Sequence, residues 1–104
     1  MNNTPQLVKL LNIAHDESAL LTEKRKAATN QAYFKEKLSE LKTERQGILA
    51  VLKKQLSKLT PIERNVFYLR FIKGKSVRRI AKEMYYSTST IHHKISKICE
   101  KLTV

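Results

Sequence analysis

The sequence predicts an all-α fold in two parts: a helical hairpin or coiled-coil dimerisation segment over residues 1–59, and a compact helical domain over residues 60–104. Three observations carry that expectation. Only 2 Gly and 2 Pro interrupt 104 residues, which favours long helices over a turn-rich β fold. Both prolines follow threonine, as Thr4-Pro5 and Thr60-Pro61, the arrangement of an N-cap with proline at the first helical position. Apolar residues elsewhere recur at spacings of three and four.

Residues 1–4 are polar and should fray, with Thr4 as the cap of a first helix. Leu7, Leu10, Leu11, Ala14, Leu21 and Ala28 extend that helix to about residue 28. A break near Thr29-Asn30 is expected only from weak helix formers that also serve as caps. In the next helix Phe34, Leu38, Leu41, Ile48, Leu52 and Leu59 follow the spacing of a short coiled-coil seam, and Arg45 occupies the slot between Leu41 and Ile48. Phe34, Leu38, Leu41, Ile48 and Leu52 are the candidate oligomerisation residues. Gly47 weakens this helix without necessarily breaking it. Residues 5–58 therefore form either an antiparallel hairpin within one chain or a pair of helices that joins two chains.

Thr60-Pro61 opens the second part, with Glu63 in a first turn where negative charge suits the helix dipole. Val66, Phe67, Leu69, Phe71 and Ile72 supply an apolar face. Gly74, within Lys73-Gly74-Lys75, ends the helix in the left-handed conformation. Ser76 caps a short helix whose apolar positions are Val77, Ile80, Ala81 and Met84. Tyr85-Tyr86-Ser87 make a turn, and a last helix runs from about Thr88 to Leu102. Ile91, Ile95, Ile98, Cys99 and Leu102 form its buried stripe, leaving Thr88, Ser89, His92, His93, Ser96 and Lys97 outward.

Two short helices joined by a tight turn, the second polar and basic, have the layout of a helix-turn-helix that places its second helix in the DNA major groove. The charge agrees. The chain carries 21 Lys+Arg against 9 Asp+Glu, a net +12. Residues 60–104 hold 10 basic and 3 acidic residues, net +7, against 11 and 6, net +5, in residues 1–59. The denser positive charge lies where phosphates would be met. Ser89, His92 and His93 are the candidates for base edges. Thr88, Thr90 and Lys94, near the helix N-terminus, suit phosphate oxygens, and so do Arg78, Arg79 and Lys82 on the preceding helix. Lys97 completes the outward face of the last helix.

The stretch Leu59–Leu102 resembles the fourth conserved region of bacterial sigma factors, and is similar to the sigma-like helix-turn-helix of phage late-gene regulators of the ArpU and RinA type. The matching residues are Leu59-Thr60-Pro61-Ile62-Glu63-Arg64, Leu69-Arg70-Phe71 before Gly74, Ser76 with Ile80-Ala81, and Ser87 with Thr90-Ile91. The resemblance covers somewhat under half the chain. It implies that Ser87, Ser89, Thr90, His93 and Lys94 face DNA. Two departures stand out. The turn often carries Gly where this chain has Tyr85, and tyrosine at positive φ is strained. The N-terminal half does not look like the promoter-melting regions of a complete sigma factor, so a small regulator that borrows the DNA-binding module is expected.

Other chemistry is not visible. There is no Gly-rich phosphate loop, paired-carboxylate site or Ser/His/Asp constellation, so neither an enzyme nor a cofactor is expected. Adjacent His92 and His93 point about 100° apart on a helix and cannot act as an i, i+4 metal pair, so no metal site is expected. Cys99 cannot form an internal disulfide and reads as a packing residue. No apolar run reaches the ~20 residues that span a bilayer, and no signal pattern opens the chain, so no membrane partner and a cytoplasmic location are expected. The leading expectation is a sequence-specific regulator of transcription that binds double-stranded DNA, phage or prophage encoded, and a homodimer through residues 5–58. A terminase small-subunit-like DNA-packaging protein is the first alternative. The second is a protein-interaction module that contacts RNA polymerase.

Overall fold

The structure, a computed structural model, describes residues 4–26 and 31–102. Helix α1 spans Thr4–Lys26 and α2 spans Gln31–Leu56. Helix α3, Pro61–Phe67, continues as a π-helical segment over Tyr68–Ile72. Helices α4, Val77–Met84, and α5, Thr88–Leu102, complete the chain, with no strand among the described residues. The all-α expectation holds. The expectations for residues 1–3, the side chain of Thr4, Ala28 and a break at Thr29-Asn30 lie outside the described residues.

Helices α1 and α2 pack on each other as an antiparallel hairpin. Arg45 of α2 pairs with Glu17 of α1 across it, which explains a charged residue in an otherwise apolar seam. Phe34, Ile48 and Leu52, expected at an oligomer interface, are buried within this one chain, and Leu38 and Leu41 are half-buried. The seam is therefore used inside the hairpin. The physical reason is the short connection: with only residues 27–30 between them, the nearest apolar partner for α2 is α1 itself. Gly47 leaves α2 unbroken. Leu21, expected on the buried face of α1, is 44% exposed, because the chain's main body covers only the first half of α1. Leu7, Leu10, Ile13 and Ala14 in that half are buried.

The hairpin does not form a core of its own. Leu7, Leu10 and Ile13 of α1, with Ile48 and Leu52 of α2, join Val66, Phe67 and Phe71 of α3 and the π segment, Ile80 of α4, and Ile91, Ile98 and Leu102 of α5 in one cluster. This core runs straight through the position of residue 60. Leu10, Leu52, Val66, Ile80, Ile91, Ile98 and Leu102 are fully buried, each worth roughly 1.5–3 kcal/mol of apolar burial. Helix α5 packs on α3, α4 and α2, so its orientation is set from three sides.

The turns follow from local chemistry. Thr60 Oγ1 accepts the N–H of Glu63 at 3.2 Å, and the Thr60 N–H donates to Glu63 Oε1 at 2.9 Å, a complete capping box at the start of α3. The π segment was not anticipated. Its widened turn is closed by the Lys73 N–H donating to Tyr68 O at 3.0 Å, and then by the Lys75 N–H donating to Leu69 O at 3.0 Å. Gly74 sits at φ 70, as expected of a left-handed helix end. A Cβ there would stand 3.0 Å from Ala14 Cβ, so the loop leading to α4 lies directly against α1.

Candidate nucleic-acid interface

Helix α4 is placed by the Gly74 loop and by Ser76, whose Oγ accepts the Arg79 N–H at 3.2 Å. Ile80 and Ala81 face the core, and Val77 and Met84 are half-buried beside them. The opposite face carries Arg78, Arg79 and Lys82, all exposed. With Ser76 and Glu83 they line an open hollow of about 620 Å³.

Helix α4 ends at Tyr85, in the left-handed conformation at φ 59 and ψ 38. The turn therefore keeps the geometry usually given to glycine. For tyrosine that geometry costs about 1–2 kcal/mol. The Tyr86 N–H donates to Ala81 O at 2.9 Å and closes the turn. Ser87 then caps α5: its Oγ accepts the Thr90 N–H at 3.1 Å, and its carbonyl accepts the Ile91 N–H at 3.1 Å. The Ser87 and Thr90 hydroxyls also share a hydrogen bond of 2.9 Å.

Helix α5 divides as its periodicity predicted. Ile91, Ile98 and Leu102 are buried and Ile95 is half-buried. Thr88, Ser89, His92, His93, Ser96 and Lys97 are exposed. These residues, the outer face of α4 and the Tyr85 turn are brought together at one corner of the molecule. Two expected contacts are placed differently. Thr90 is half-buried, and its hydroxyl is tied to the Ser87 cap rather than presented outward, because a helix start must satisfy its own N–H groups. Lys94 is half-buried rather than fully outward.

The acids of this half are already engaged. Glu83 binds Lys75 Nζ at 2.8 Å and Arg79 Nε at 3.3 Å. The hydrogen bond from Lys75, helped by Arg79, holds the Glu83 carboxyl below the usual range, so it stays ionised. Glu100 pairs with Lys97 at 3.5 Å. Glu63 is turned inward, where Lys101 Nζ donates to its Oε1 at 2.5 Å. That hydrogen bond, with the one from the Thr60 N–H, holds the Glu63 carboxyl low against the opposing effect of burial. On α4 and α5, Arg78, Lys82 and Lys94 keep no carboxylate partner among the described residues. Of the cations at this corner, Arg78 and Lys82 are thus available to an outside anion without breaking an existing pair.

Three features near the interface go beyond the sequence reading. Glu83 organises Lys75 and Arg79, and no spacing rule pointed to the Lys75 pair eight residues away. The Glu63–Lys101 bond ties the start of α3 to the end of α5. Half of its signal was visible, since Thr60-x-x-Glu63 is a capping-box pattern. The third is Tyr85, read from the sequence only as part of the turn; the residue is 95% exposed. Cys99 is half-buried, and burial pushes its thiol up from the ordinary range, as suits a packing residue.

No described helix is long and apolar enough to cross a membrane. Among family models, the one described as Sigma-70, region 4 matches residues 49–102, just over half of the chain. No curated protein and no solved structure matches it.

Proposed function

The chain belongs to the sigma-70 region 4 family, and from that premise we propose that it is a sequence-specific regulator of transcription that reads the major groove of double-stranded DNA with α5. The observation that carries this reading is the shared corner of α4 and α5. An exposed face with Ser89, His92 and His93 lies beside an outer face with Arg78 and Lys82, and every nearby carboxylate is already paired. In mechanism, Arg78, Lys82 and the N-terminus of α5 hold the phosphates, and the outward side chains of α5 test base edges. The protein acts by binding alone, without catalysis. One chain carries one α5 and reads one half-site; a second half-site calls for a second chain. The resemblance to ArpU- and RinA-type regulators supports a phage or prophage source.

A contact with RNA polymerase is a second reading. It is favoured by an apolar groove of about 580 Å³ between α2 and the α3–π segment, lined by Leu49, Leu56, Phe67, Tyr68 and Ile72 with Lys53 and Arg64 at its rim.

The test is binding to genomic DNA fragments from the protein's own source, titrated against salt. One fragment should bind far more tightly than the rest. His93→Ala should flatten that preference. Arg78→Ala should weaken all fragments alike and lower the salt slope by about 1. The location of the bound fragment separates a promoter from a packaging site. Equal, weak binding to every fragment, unmoved by either substitution, would overturn the DNA reading and leave the polymerase groove as the functional surface.

A further inference from the structure

Tyr85 occupies the least protected position of any large apolar side chain in the described residues. The residue is 95% exposed, against 39% for Tyr86, 47% for Tyr68 and 53% for Tyr33. The last two rings have company: Tyr33 packs edge-on to Phe34 at 5.4 Å, and Lys73 Nζ lies 5.5 Å from the Tyr68 ring. No ring contact or hydrogen bond engages the Tyr85 side chain among the described residues. Its backbone is nevertheless fixed, with positive φ and hydrogen bonds on both sides of the turn. The side chain thus makes no bond or ring contact within the fold and its backbone conformation is strained, while the turn fixes the direction of its Cα–Cβ bond.

That direction is informative. Tyr85 lies seven residues after Arg78 and three after Lys82, at the end of α4, and it precedes the Ser87 cap of α5 by two residues. It stands between the cations expected on the phosphate backbone and the helix end expected in the groove. A tyrosine has only two side-chain torsions to order on contact, and its hydroxyl can donate to a phosphate oxygen. Resting on the reading of the α4–α5 corner as a DNA surface, we propose that Tyr85 is a DNA-backbone contact whose hydroxyl donates to a phosphate oxygen at the edge of the groove read by α5. The contact is neutral, so it adds affinity without releasing a counterion, unlike Arg78.

The deciding variant is Tyr85→Phe, which keeps ring and backbone and removes only the hydroxyl. The probe is the fragment bound most tightly by the wild type. Affinity should fall about tenfold at every salt concentration, the loss of one hydrogen bond to a charged group, with the salt slope unchanged. Tyr85→Gly should bind at least as weakly, yet melt at higher temperature than the wild type because the positive φ no longer strains the chain. Wild-type affinity in Tyr85→Phe overturns the proposal. So does a lowered melting temperature in Tyr85→Gly, which would mean that the protein itself holds the ring. If the wild type prefers no fragment, the DNA reading fails with it, an outcome distinct from selective binding that ignores the hydroxyl.

Discussion

The two glycines should respond to alanine with opposite signs, and the contrast tests the packing of the hairpin against the α4–α5 unit. At Gly74 the backbone sits at φ 70. Alanine there meets a left-handed penalty of about 1–2 kcal/mol. Its Cβ would also lie 3.0 Å from Ala14 Cβ, well inside the 3.5–4.0 Å of a comfortable carbon contact. Ala14 is buried on a long helix and has no rotamer to yield, so the loop or α1 must move, at a further cost of about 1–2 kcal/mol. Gly74→Ala should therefore destabilise by roughly 2–4 kcal/mol. That corresponds to a fall in Tm of roughly 10–20 °C for a domain of this size. Gly74→Asn separates the two costs, since asparagine accepts positive φ but still brings a Cβ. At Gly47, inside α2, nothing lies within 4 Å of an added Cβ. Gly47→Ala should stabilise by about 0.5–1 kcal/mol. Thermal and urea unfolding followed by circular dichroism read all three variants. A Gly74→Ala protein as stable as the wild type would refute both the close approach of α1 and the left-handed turn.

Two further outcomes follow from the caps. Glu63 is held in its ionised form, with its pKa lowered on folding, so its contribution is complete above the unfolded carboxylate range and is lost as pH falls from there through the lower folded value; Glu63→Gln should cost about 1–2 kcal/mol at pH 7 and progressively less below about pH 4, a difference that acid titration of the two melting curves would reveal or exclude. Ser87→Ala should cost about 1 kcal/mol through loss of the α5 cap, whereas Ser87→Asp should keep the stability and weaken DNA binding by placing a carboxylate where phosphate is expected; tight binding by the aspartate variant would remove the α5 N-terminus from the interface.

Much of the fold and of the candidate site was legible because it is set by residues near one another in sequence. Thr60-Pro61-x-Glu63 marks a helix start through hydrogen bonds spanning three residues. Gly74 and Ser76 mark an end and a start in the same way. Ile91, Ile98 and Leu102 identify the buried stripe of α5, and with it the outward face that carries His92 and His93. The π segment was not legible, since Tyr68–Ile72 has the same apolar spacing as an ordinary helix. Nor could periodicity tell that Thr90 turns its hydroxyl to Ser87, because a helix start offers it either partner.

The sequence by itself determined the helices, their caps, the faces they bury and the excess of positive charge in the last third, because backbone hydrogen bonding and hydrophobic periodicity act over a few residues. Only the tertiary structure decided where those faces meet. The seam of α2 is buried against α1 and the shared core of the same chain, Arg45 finds Glu17, and Glu63 reaches Lys101 at the far end of α5. A Lys75–Glu83–Arg79 cluster leaves Arg78 and Lys82 as the uncommitted cations of α4, and Tyr85 is left in solvent beside them. An apolar stripe or a charge records that a partner is required, while the partner's identity is chosen by which surfaces the whole chain can bring within contact at once.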